Sequence, residues 1–219
     1  MLRRPFLDLF LAAPLLALVA CGPADKPGAT KPVAAAPAPA VATRQAADGT
    51  VDRFTPYVGG PLMLDEFSVG PLMAQTEFSM EAIQPRFPKA RVKAAFLHDG
   101  AGEPMPIITV EQGGGVLEIQ GNPGTTKVGD IRIDGGTPKG PRGETLMMKW
   151  ADADIDYPRC WMGKDRDLHA VICTQPGEPV LRYVFGVPGW TQDVLPSEAI
   201  LREKATLRGF VWRGGAPTQ

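Results

Sequence analysis

RVKAAFLHDGAGEPMPIITVEQGGGVLEIQGNPGTTKVGDIRID, residues 91–134, is the stretch that decides the fold. Arg91–Leu97 alternates through Val92, Ala94 and Phe96. Residues 106–111 carry Ile107, Ile108 and Val110, residues 116–121 carry Leu117 and Ile119, and residues 128–134 carry Ile131 and Ile133. Period-two alternation of apolar side chains marks half-buried strands. Between the runs stand Asp99-Gly100, Gly113-Gly114-Gly115 and Asn122-Pro123-Gly124, all strong turn signals. Four short strands joined by tight turns predict an antiparallel meander.

Reading outward, the same order occurs twice. Before the meander, Phe78, Ala82, Ile83 and Phe87 share one face of a helix predicted over residues 76–87, with Thr76 as N-cap. Pro85 ends its regular part. After the meander, Leu146 and Trp150 at i, i+4 predict a short helix over residues 143–150. Four runs follow again, at residues 157–162, 168–173, 180–185 and 206–213. The fold class is therefore α+β, mainly antiparallel sheet with few short helices, in one domain over residues 51–213. Residues 70–136 and 140–213 read as tandem helix–four-strand units sharing one core; two unrelated meanders would produce the same pattern. An extra segment, residues 188–204, interrupts the second half, and Ser197 there can cap a helix through Ala199, Ile200 and Leu201. Residues 214–219 read as a disordered tail.

The amino terminus reads as an address. Arg3 and Arg4 precede an apolar run that ends at Ala20. That run is shorter than the roughly 20 apolar residues of a membrane span and has the flanks of a secretory signal. Leu18-Val19-Ala20-Cys21 has the form of a bacterial lipobox. Residues 1–20 are then a lipoprotein signal peptide, and Cys21 is the lipid-attachment residue, holding the chain to the membrane by its acyl groups. Gly22 follows in place of the Asp that retains lipoproteins in the inner membrane, so the expected site is the outer membrane, facing the periplasm. Residues 21–50 are rich in Ala and Pro and lack the apolar content to fold, so they read as a tether.

Thr76-x-Phe78-x-x-x-Ala82-Ile83, the strand from Gly129 to Asp134, Cys160 and Cys173, Leu181-x-Tyr183-x-Phe185, Leu195-Pro196-Ser197 and the terminal Val211-Trp212-Arg213 resemble, in order and spacing, the RpoE-regulated lipoprotein family. The resemblance covers residues 65–213 and implies an envelope-stress-associated lipoprotein with a domain of unknown function. It supplies no catalytic residues.

Composition limits the chemistry. The 219 residues include 25 Gly and 23 Pro, with 7% aromatics and a formal net charge of −1. No basic excess is present to attract nucleic acid. With Cys21 lipidated, Cys160 and Cys173 remain, an even pair in adjacent predicted strands. A structural disulfide across a hairpin is the expectation in an oxidising compartment; a redox pair would more typically be Cys-x-x-Cys. His98 and His169 show no metal-ligand spacing, and no serine lies in a Gly-x-Ser-x-Gly elbow. Gly113-Gly114-Gly115 lacks the Lys and Ser/Thr of a phosphate loop, and no cofactor motif is found. Asp152, Asp154 and Asp156 alternate and would share one face of an extended chain. Asp165 and Asp167 among Lys164 and Arg166 read as a charged hairpin tip. Trp150 and Trp212 are expected in the core, with Trp161 against the disulfide. Trp190, with Leu195 in the same inserted segment, is the candidate partner-binding residue. The function expected is non-enzymatic, either binding an envelope protein, glycan or lipid or serving envelope integrity under stress. A hydrolase of cell wall or lipopolysaccharide using Asp154 and Asp156 is the alternative.

Overall fold

The computed structural model describes residues 40–45, 51–98 and 102–214. The expected signal peptide, Cys21, most of the tether, and residues 215–219 lie outside the described residues.

One antiparallel sheet organises the molecule. Its strands are β1 (Arg91–Leu97), β2 (Met105–Gln112), β3 (Gly115–Gly121), β4 (Val128–Gly135), β5 (Cys160–Met162), β6 (Val171–Gln175), β7 (Glu178–Gly186) and β8 (Thr206–Arg213). In space they run β5-β6-β7-β8-β4-β3-β2-β1. Each run of four thus lies side by side in chain order, and the last strands, β4 and β8, meet with Phe210 opposite Ile133 and Trp212 opposite Ile131. A single row of register partners crosses all eight strands: Cys160, Cys173, Tyr183, Phe210, Ile133, Leu117, Val110 and Val92. These are the alternate residues that the sequence marks as apolar. All but Val92 are buried, and they form the floor of the core.

Two short helices pack on the core side. α1 (Met80–Ile83) is capped by Ser79, whose Oγ accepts from the Ala82 N–H at 3.2 Å. The cap is therefore three residues later than the Thr76 expected from sequence. Thr76 is instead buried, and its Oγ1 accepts from the Met73 N–H at 3.0 Å. Pro85 converts the chain after Ile83 into a 3-10 turn, Gln84–Arg86, because it removes the N–H the next α-helical bond requires. α2 (Glu198–Lys204) follows Ser197 in the inserted segment and buries Leu201.

The helix expected over residues 143–150 is not formed. Met147 sits at φ 68, a left-handed conformation that interrupts a helix. The backbone around it bonds to the start of β8 and the residue before it instead: Met147 N–H donates to Leu207 O at 2.8 Å, Leu207 N–H to Met148 O at 2.8 Å, and Trp150 N–H to Ala205 O at 3.0 Å. Only a 3-10 turn, Trp150–Asp152, remains. The start of β8, which lies beyond its pairing with β4, outcompetes local i→i−4 bonding, and i, i+4 spacing alone cannot reveal this.

The fold also begins earlier than residue 51. Ala42–Gln45, assigned to the tether from composition, pairs antiparallel with Val51–Phe54. That hairpin is held down by Phe54, which is buried beneath the Arg86 guanidinium at 4.2 Å.

Cys160 and Cys173 are direct cross-strand partners and form a disulfide. Trp161 does not pack on it: neighbouring residues of a strand face opposite sides, so Trp161 stands on the outer face, 40% exposed. Trp150 and Trp212 lie in the core, as expected.

The loop between β5 and β6 turns back over the outer face. Gly163 N–H closes it by donating to Ala170 O at 2.8 Å. Asp167 meets Arg132 of β4 at 2.7 Å, and Arg166 meets Glu118 of β3 at 2.6 Å. What reads as a charged hairpin tip is thus tied to the sheet. Burial disfavours the charged form of Arg132, yet its bonds to Asp167 and Asp134 outweigh this and hold its pKa above the ordinary arginine value.

Candidate functional site

The site is built around Trp150. The 3-10 turn drives this indole into the core. On its solvent side α2 lays the Arg202 guanidinium over the ring, 5.2 Å from the centroid. Glu198, one turn earlier, fixes that guanidinium through Oε1, at 2.7 Å from Nη2 and 3.0 Å from Nε. A Glu and Arg four residues apart on a helix favour this pairing.

Past Trp150 the chain does not run extended. Asp152 ends the 3-10 turn and Asp154 takes φ 49. The three alternating aspartates consequently do not share one face. Asp154 and Asp156 line a common hollow of about 280 Å³ with Tyr157, Trp150, Glu198 and Arg202, whereas Asp152 is not part of its wall. Tyr157 joins the two sides, its hydroxyl donating to Pro196 O at 3.0 Å. The hollow therefore lies between the segment leading to the disulfide and the inserted segment. The lining holds three carboxylates and the Arg202 guanidinium, which Glu198 already pairs, while Asp156 also stands 3.7 Å from Arg159 Nε. Such a lining accepts hydrogen bonds from hydroxyl or ammonium groups. Among the described residues, no cluster of three or more His, Cys, Asp or Glu side chains is arranged to hold a metal ion.

Trp190 and Leu195 are partly buried and packed against the core. Trp190 Nε1 donates to Val194 O at 3.0 Å, so the indole closes its own loop. The exposed apolar group of this segment is Val194, at 60%. Asp193 beside it approaches His169 Nδ1 at 3.7 Å. His98 follows β1 directly. Cys21 lies outside the described residues.

Sequence reasoning missed Glu198 and Arg202 as site residues. Their i, i+4 spacing was a readable signal of mutual pairing, but nothing in sequence places them over Trp150, some fifty residues earlier. A buried trio also escaped it. Glu144 accepts from Gln175 Nε2 at 2.5 Å and from the Tyr183 hydroxyl at 3.3 Å, and Gln175 Nε2 also donates to Ala153 O at 3.1 Å. These bonds tie the turn before Trp150 and the backbone after it to the sheet, and so position the hollow from behind.

No family model matches the chain, and no curated protein matches it. Among solved structures, the chain is similar to the uncharacterized protein yfeY from Escherichia coli, at TM-score 0.55 and 19% identity, covering 70% of this chain and 99% of that one. The two share a fold. No helix among the described residues is long and apolar enough to cross a membrane.

Proposed function

We propose that this chain is an outer-membrane lipoprotein of the RpoE-regulated kind it resembles, anchored through Cys21, whose periplasmic domain binds a ligand without turning it over. The lipobox at residues 18–21 supports the anchor. A disulfide within the domain suits an oxidising compartment. The family assignment draws on the ordered motifs over residues 65–213 and on the fold shared with yfeY. The paired order of the two meanders, meeting at β4 and β8, supports an internal duplication.

One observation carries the binding reading: the inserted segment and the Trp150–Pro158 segment jointly wall a hollow whose lining is anionic and aromatic. The matching ligand class is a polyhydroxylated compound bearing an amino group, such as an amino-sugar fragment of an envelope glycan. Calorimetric titration with glucosamine oligomers tests it. Saturable binding that falls at least tenfold in the Asp154→Asn, Asp156→Asn double variant is expected. Unchanged affinity in that variant would remove the hollow from consideration. The hydrolase reading draws on the same two aspartates. Release of new reducing ends from a wall glycan, lost in either single variant, would establish it in place of simple binding.

A further inference from the structure

We propose that the outer face of the sheet carries a second site, in which Arg182 and Arg213 take an oxyanion, a phosphate borne by a sugar, beside the exposed ring of Trp161. It lies on the face opposite the core and is separate from the carboxylate-lined hollow.

On this face one row of register partners runs Thr174, Arg182, Val211, Arg132, Glu118, Thr109 and Lys93. Its other cations are paired: Arg132 with Asp134 and Asp167, and Lys93 with Glu111 at 2.7 Å. Glu118 is taken by Arg166. Arg182 differs. Among the described residues it has no carboxylate within ion-pair distance, and its guanidinium lies 5.6 Å from the centroid of the Trp161 ring.

Its diagonal neighbour carries the same charge. Arg182 faces Val211, two residues before Arg213 on the same side of β8, a spacing that brings long side chains together. Arg213 Nε is buried, makes no hydrogen bond, and stands 3.4 Å from Asp130. Burial first, and then the charge of Arg213, hold the Arg182 pKa below the ordinary arginine value. Asp130 and Asp167 oppose that shift, but each is engaged by another arginine.

Among the described residues Arg182 has no carboxylate partner and Arg213 has only Asp130, at 3.4 Å, so an acceptor between the two guanidiniums would offset their mutual repulsion and use their remaining donors. A tetrahedral oxyanion presents enough oxygens for both forks, which is the geometry arginine favours. Trp161 supplies a ring face against which a sugar can lie.

The test uses the full chain in non-ionic detergent, following tryptophan fluorescence during titration with glucose 1-phosphate and, separately, with mixed micelles containing a glycolipid whose headgroup sugar bears a phosphate. A saturable response is expected that Trp161→Phe removes. Arg182→Gln should weaken binding at least tenfold, and Arg182→Lys, which keeps the charge but loses the fork, should restore part of it. Response to glucose 1-phosphate alone would identify a soluble source of the phosphate, and response to the micelles alone a lipid headgroup. Equal affinity of wild type and Arg182→Gln for both probes, or no saturable response to either, would overturn the proposal. Unchanged near-ultraviolet circular dichroism in the variants separates loss of the site from loss of the fold.

Discussion

Gly209 shows how tightly single residues are constrained on the outer face. A Cβ there would stand 2.6 Å from Asp134 Oδ1 and 2.9 Å from the Ile133 carbonyl oxygen. The second atom is backbone and cannot swing away, so Gly209→Ala should cost about 1–3 kcal/mol, the usual penalty of overpacking, measurable by urea unfolding. On β2, one strand in from the sheet edge, Glu111 illustrates charge rather than sterics. The hydrogen bond from Lys93 holds its carboxyl below the ordinary carboxylate value, aided by the charges of Lys93 and Arg91. A lowered folded pKa means the contribution is complete above the ordinary carboxylate range and is lost as pH falls through the lowered value. An NMR titration of Glu111 should therefore move upward in Lys93→Met, and an unmoved curve would count against the pairing.

Among the elements, the disulfide and the loop that follows it act on opposite faces of the same strands. Cys160 and Cys173 staple β5 to β6 from the core side. Replacing both by serine should lower stability by about 3 kcal/mol in the chain-entropy model. The loop over residues 163–170 is held from the outer side by Asp167 and Arg166. Asp167→Asn should raise amide hydrogen exchange in that loop while leaving the core row from Cys160 to Val92 protected. The first meander was legible in the sequence because alternation and turn residues agree at every step from Arg91 to Gly135. The 3-10 turn at Trp150 was not, because its backbone partner is Ala205, just before β8 and more than fifty residues later. The hollow was legible in part: Asp154 and Asp156 were singled out, but the left-handed Asp154 that separates them from Asp152 carries no sequence signal. Trp190 and Leu195 stood out for the same reason that they pack inward, being large and apolar within a polar loop.

For the whole molecule, a mainly antiparallel sheet with one covered face places the two candidate sites apart. The carboxylate-lined hollow belongs to the core side, where α2 meets the Trp150 turn, and the arginine pair belongs to the outer face. Trp150→Ala should test the first at the level of the fold. It removes a fully buried indole and the surface on which Arg202 rests. It should cost about 3–5 kcal/mol and abolish ligand binding in the hollow, while leaving the response of Trp161 to phosphate intact wherever the protein remains folded. The proposed localisation concerns the whole chain, and the proposal rests on the lipobox ending at Cys21. Mass spectrometry of the amino-terminal peptide, from protein isolated from the envelope of the producing cell, tests it most directly. The account predicts a chain that begins at Cys21 and carries the mass of covalently attached acyl groups, and a Cys21→Ala chain without them that leaves the membrane fraction. A wild-type chain that begins elsewhere, or whose Cys21 is unmodified, would contradict it.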